Sequence, residues 1–173
     1  MKLGKKLVFA GLITGSSLIL AACSDTEAQD GAGSTQATAA GPVALDVYKS
    51  PTCGCCESWI EHADTHGFTS NIHHPENLNG VKDELGIAPR FRSCHTAVTE
   101  EGYAFEGHVP AKLVQRFLDN PPEGALGLAV PGMPAGSPGM EYGDRFDPYP
   151  VVLLYEDGRF ELYEEINEQE MQY

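Results

Sequence analysis

The chain of 173 residues holds 11 basic and 25 acidic residues, a formal charge of −14, with 19 glycines, 12 prolines and five cysteines. That surplus of negative charge repels phosphate backbones and attracts cations, which excludes nucleic-acid binding. The length allows one domain with a single core.

Lys2, Lys5 and Lys6 precede an apolar run over residues 7–20, and the run closes in Leu20-Ala21-Ala22-Cys23. A charged start, an apolar centre and small residues at a cleavage point make a secretory signal, and the apolar stretch is too short for an ordinary spanning helix. Leu-Ala-Ala-Cys resembles the bacterial lipobox, in which the cysteine becomes the lipidated first residue. Residues 1–22 are therefore expected to be a lipoprotein signal peptide, with Cys23 a lipid anchor and the sole membrane attachment; ordinary cleavage leaving Cys23 free is the alternative. Ser24 resembles an outer-membrane sorting signal of Gram-negative bacteria, so the expected location is the periplasmic side of the envelope. Residues 24–42 carry no aromatic or large aliphatic side chain, so nothing there offsets the entropy of ordering the backbone. Residues 23–42 read as a lipidated flexible tether with a reach of roughly 25 Å. Losing the three leader lysines leaves eight basic against 25 acidic residues, a net charge of −17. Much of that surplus lies at residues 161–170, a solvated, solubilising surface.

The domain, residues 43–173, opens with an apolar strand pattern at 43–48 and a loop at 50–52. A helix over 57–66 stops at Gly67, and 68–73 is a second strand. A short helix over 77–85 ends at Gly86, and an irregular stretch leads to a hairpin of 94–99 and 103–109 turned by Glu101-Gly102. Pro110 suits a first helical position, with Leu113, Val114, Phe117 and Leu118 on one face. Residues 124–143 are so rich in Gly and Pro that they read as an ordered loop or flap, not as a helix or inner strand. A final hairpin, 151–155 and 159–163, turns at Asp157-Gly158. The predicted fold is α/β: a thioredoxin-like domain with a Gly/Pro/Met-rich loop and a C-terminal β-hairpin. In that arrangement the segment entering the third core strand lies beside the first helix, which brings Cys94 to the other cysteines.

Cys53-Gly54-Cys55-Cys56 falls at the start of the first helix, where the dipole lowers thiol pKa and strengthens sulfur as nucleophile and ligand. With Cys23 lipidated, Cys53, Cys55, Cys56 and Cys94 remain. Two structural disulfides fit them poorly: a Cys53–Cys56 bridge is easy across one turn, but Cys55 would then have to reach Cys94, and pairing adjacent cysteines strains the backbone. Thiolates favour Cu(I), zinc and iron–sulfur centres. Structural zinc draws on cysteines in spaced pairs, whereas three in four residues suit sulfurs that bridge several monovalent ions. Four thiolates balance four Cu(I) charges, while one Zn²⁺ leaves −2 in a partly buried site; zinc stays as the alternative.

His95 beside Cys94 and His108 in the paired strand are equal candidates to cap such a cluster or to accept Cu(II), against the alternative of hydrogen-bonded strand histidines. His62 and His66 share a helix face, more simply an exposed one than a metal pair, and adjacent His73 and His74 point to opposite sides of a strand. Met133 is either a Cu(I) ligand on the flap or a gap-filler, and Met140 a gap-filler. Trp59 anchors the first helix in the core.

Cys53-Gly54-Cys55-Cys56 with Trp59 and His62, Ser93-Cys94-His95-Thr96-Ala97, Tyr103, Glu106-Gly107-His108-Val109-Pro110-Ala111, Gly127 through Pro134, and Gly136 through Glu141 together resemble the CopG-type copper-resistance proteins, a periplasmic metal-binding family long described as of unknown function. The resemblance covers residues 43–152. It implies a thioredoxin-like fold whose four cysteines hold a multinuclear Cu(I) cluster, and a part in handling toxic copper by interconverting its oxidation states, with envelope copper-export or copper-oxidase components as partners. The lipobox with its tether and the acidic C-terminal hairpin depart from the family pattern. Two other functions compete. The Cys53/Cys56 spacing is that of a thiol-disulfide oxidoreductase, although Arg92-Ser93 stands where such enzymes carry a cis-proline; a passive metal chaperone or scavenger would share every ligand but do no redox chemistry.

Overall fold

The computed structural model describes residues 41–173. The expected signal peptide, the anchor at Cys23 and all but the last two residues of the tether lie outside the described residues. Among those described, no helix is long and apolar enough to cross a membrane.

Strand β1 (Val43–Lys49) leads into helix α1 (Gly54–Asp64), strand β2 (Phe68–His73) and helix α2 (Leu78–Glu84). A 3₁₀ turn (Pro89–Phe91) precedes β3 (His95–Val98) and β4 (Ala104–Glu106), then helix α3 (Ala111–Asp119) and strands β5 (Ala125–Ala129), β6 (Tyr149–Tyr155) and β7 (Phe160–Ile166). The seven strands of the described residues join one mixed sheet in the order β2-β1-β3-β4-β5-β6-β7. β1 runs parallel to β2 and antiparallel to β3, and β3 antiparallel to β4. The fold is α/β, as the alternation of strand and helix patterns predicts.

Side-chain alternation along the strands divides the interior. Leu45 and Val47 of β1, Ala97 of β3, Phe105 of β4 and Leu128 of β5 face α1 and α3, where they pack with Trp59, Ile60, Val114 and Phe117. The intervening residues Ala104, Ala129, Val152 and Leu154 pack on the opposite face with Ile87 and Phe91. Trp59 is fully buried and its Nε1 donates to the Val109 carbonyl at 2.9 Å, so it ties α1 to the segment entering α3 as well as filling the core.

Two expectations are corrected here. Residues 124–143 are not all loop: 125–129 form β5, an inner strand between β4 and β6. Gly127 makes this pairing, because a Cβ there would stand 1.8 Å from the Ala104 carbonyl oxygen and its φ of 147° disfavours other residues. The prolines that forbid an inner strand begin only at Pro131, where the flap starts. The C-terminal hairpin therefore extends the main sheet through β5.

His62 and His66 do not form an exposed pair. The His62 ring reaches α3, where Nε2 accepts the Ala111 N–H at 3.1 Å, one of the amides a helix start leaves unpaired. Burial, then the charge of His66, hold the His62 pKa at about 4 instead of 6.5. Below pH 6.5 the unfolded chain takes up a proton at this position that the folded chain refuses until about pH 4. Stability therefore falls across that window on this residue's account and levels off below it. In His62→Gln, urea midpoints between pH 7 and pH 4 are expected to fall less steeply than in the parent; an unchanged slope would remove His62 from this role.

Candidate metal centre

The cysteine turn follows β1 directly. Cys53 takes the N-cap position of α1 in an extended conformation and makes no side-chain cap, so the cysteine turn stands at the positive end of the helix with no side chain of the N-cap residue on its first-turn amides. Cys56 lies one turn on and is fully buried. Cys94 immediately precedes β3, which pairs with β1 in a register that sets His95 opposite Lys49. One sulfur each from Cys53, Cys55, Cys56 and Cys94 lie within 4.8 Å of one another. The predicted convergence of the distant Cys94 on the other three is present. Within the set, Cys53 and Cys56 are joined as a disulfide, while Cys55 and Cys94 are free thiols. Of the bridges weighed from the sequence, the one across a helical turn is the one that forms.

A second donor set shares Cys94. His108 Nε2 stands 3.0 Å and His95 Nδ1 3.3 Å from its sulfur, and the three ligand atoms again lie within 4.8 Å of one another. His108 Nδ1 is 2.8 Å from the Pro138 carbonyl, which can only accept, so Nδ1 carries the proton and Nε2 turns its lone pair to Cys94. Metal-binding histidines are commonly oriented by such a second bond. His95 is wholly buried against Trp59, ring centroids 4.5 Å apart, and its Nε2 has no hydrogen-bond partner. Burial first lowers both imidazole pKa values, so both rings are neutral and able to act as ligands. Burial, then the nearby Cys55, push the Cys94 thiol up to about 12, so a bound cation must displace its proton.

The flap closes one side of this pocket. Besides Pro138 on His108, Gly139 lies so close to α1 that a Cβ there would be 2.6 Å from Trp59 N and 2.8 Å from the Cys55 carbonyl oxygen. Met133, 54% exposed, is no gap-filler of the core. Met140 is half-buried. His73 pairs with Asp46 at 2.8 Å on the surface, and His74 Nδ1 meets the Lys49 carbonyl, so neither belongs to the pocket.

Sequence reasoning overlooked the charged residues behind Cys94. Glu106 of β4 and Lys82 of α2 form a buried ion pair on the sheet face opposite Trp59. Thr96 Oγ1 donates to Glu106 Oε2 at 2.6 Å, and the Ser93 N–H donates to Oε1, also at 2.6 Å. Ser93 Oγ donates to the Gly132 carbonyl, so the residue before Cys94 is held from the sheet and from the flap. Lys49, also buried, donates to Glu57 at 2.6 Å. The signal available was a lone charge, Glu106, inside an otherwise apolar inner strand, although nothing in the sequence indicated its partner.

The site is thus a pocket of four cysteines and two neutral imidazoles at a helix start in an α/β domain, which defines a soft-metal or dithiol protein. Residues 91–140 match the model of a family described as "Protein of unknown function, DUF411". Two solved structures of the copper resistance protein CopG, Form 2 and Form 1, are each 43% identical to the chain. They cover 72% of it, and 98% and 97% of their own lengths, with TM-scores of 0.68 and 0.67. No curated protein matches. The chain belongs to the CopG-type copper-resistance family.

Replacing Glu106 by Leu strands the Lys82 ammonium and the Ser93 amide, and is expected to cost about 3–5 kcal/mol in urea unfolding. Adding Lys82→Met should recover most of that loss. A double variant no more stable than the single one would mean that the pair is not the source of the effect.

Proposed function

We propose that the protein binds copper in the service of copper resistance, and that Cys53, Cys55, Cys56 and Cys94 hold several Cu(I) ions once the Cys53–Cys56 bridge is reduced. The observation that carries this reading is the gathering of four sulfurs within 4.8 Å, close to the span of two metal–sulfur bonds of about 2.3 Å that share one ion. Kinship with copper resistance proteins at 43% identity supports the choice of metal. So does the donor chemistry, since Cu(I) prefers thiolates and four of them neutralise four monovalent ions. Zinc on the same cysteines is the competing cargo. His95 and His108 complete the pocket as nitrogen ligands, and Met133 is a thioether the flap offers to arriving or leaving copper. Interconversion of Cu(I) and Cu(II) makes the protein a copper oxidoreductase; retention without redox change makes it a chaperone or scavenger.

The order β2-β1-β3-β4, with β1–α1–β2 parallel and β3–β4 antiparallel, supports a thioredoxin-like core for residues 43–173. The Cys53–Cys56 disulfide favours thiol-disulfide exchange as the second reading. Insulin reduction separates the two: it is fast for an exchange enzyme and absent for a copper protein. The same proposal takes residues 1–22 as signal peptide, Cys23 as lipid anchor and the stretch to residue 42 as tether, with the domain on the periplasmic side of the envelope, at the outer membrane of a Gram-negative host, and envelope copper-export or copper-oxidase components as its partners.

Protein purified from copper-stressed cells is expected to carry several copper ions per chain, and Cys55→Ser to lose most of them, as read by elemental analysis. One zinc per chain with no copper uptake after reduction would defeat the proposal.

A further inference from the structure

The two donor sets respond differently to oxidation. Forming the Cys53–Cys56 bond takes two sulfurs out of the four-cysteine set but leaves Cys94, His95 and His108 together, with Cys55 still a free thiol. The bridge spans a single turn, from the N-cap of α1 to its first turn with Cα atoms 5.4 Å apart, and involves no residue of β3 or of the flap. Cys53 is partly exposed at the helix start and Cys56 is buried with its sulfur 3.8 Å from the Cys94 carbonyl oxygen, an asymmetry of accessible and shielded sulfur. The nitrogen-rich set suits Cu(II) through imidazole, and thiolates suit Cu(I).

We infer that the Cys53–Cys56 dithiol is the electron source for reducing Cu(II) to Cu(I) in this pocket, a step that rests on the copper reading above. Two S–H bonds break and one S–S bond forms. Two protons leave to water, and the two electrons pass singly to two Cu(II), giving two Cu(I). The product state keeps a charge balance, because the two cysteines that stay out of the bridge, Cys55 and Cys94, each release their own thiol proton to water as copper binds, and as thiolates match two Cu(I) while His95 and His108 fill their coordination. Each round ends in the disulfide, so a further round needs an external dithiol reductant; without one the chain performs a single reduction.

The test uses full-length protein, reduced and freed of metal under anaerobic conditions and then given Cu(II) salt. A chromogenic Cu(I) chelator measures the product, paramagnetic resonance follows Cu(II), and peptide mass mapping locates the disulfide. The expected result is two Cu(I) per chain with the bridge mapped to Cys53–Cys56, and a loss of at least about tenfold in reduction rate in both Cys53→Ser and Cys56→Ser. The partly exposed Cys53 makes its variant the safer one, and circular dichroism checks that each is folded. A bridge between Cys55 and Cys94 or between chains, or undiminished reduction by the folded Cys53→Ser protein, overturns the inference. If the reduced protein takes up Cu(I) but leaves Cu(II) unreduced, the inference fails while the copper reading stands. If it takes up neither ion, both fail.

Discussion

The antiparallel register of β1 on β3, with Lys49 opposite His95, is the constraint on which the metal centre depends. Cys53 follows Lys49 by four residues and Cys94 precedes His95 by one, so a single backbone pairing carries the helix-start cysteines and the distant one to the same end of the sheet. Strand side chains alternate, and a slip of one residue would turn His95 from the Trp59 face toward Lys82 and carry Cys94 away. The register is held by the packing of Val47 and Ala97 on one face and by the Thr96–Glu106–Lys82 network on the other.

Electrostatics then separates what the pocket does empty from what it does loaded. Its imidazoles are neutral and the Cys94 thiol is protonated, so the apo pocket buries little uncompensated charge. The two buried ammonium groups nearby, Lys49 and Lys82, each have a carboxylate partner. A cation that displaces thiol protons meets thiolates whose charge it cancels, and a monovalent ion per sulfur leaves no residue of charge. The same balance survives with two sulfurs locked in the bridge, because the donors that remain also match their ions.

Much of the architecture was legible because its signals are local. The apolar runs of β1 and β6, the glycines closing α1 and α2 and the one-sided apolar pattern of α3 report their own secondary structure whatever surrounds them. β5 was hidden because glycine and proline count against a strand on average. What matters at Gly127 is that Ala104 approaches too closely for any side chain, a fact about another strand. His62 likewise has two histidine-like roles in sequence and a third in space, since the amide it caps is 49 positions away. Glu106 and Lys82, separated by 24 positions on a strand and a helix, could be identified as a pair only once the sheet had brought them together.

The sequence by itself determined the chemistry available: three cysteines in four residues at a helix start, a fourth beside a histidine, and a net negative chain that welcomes cations. Residue identity settles ligand softness and local periodicity settles secondary structure, and neither needs a neighbour distant in the chain. The tertiary structure alone decided which of these groups meet. It joined Cys53 to Cys56, aimed His108 at Cys94 through the Pro138 carbonyl, left Met133 half-exposed and set a buried ion pair behind Ser93. Distances between residues far apart in the chain follow from strand register and packing, which are properties of the whole sheet.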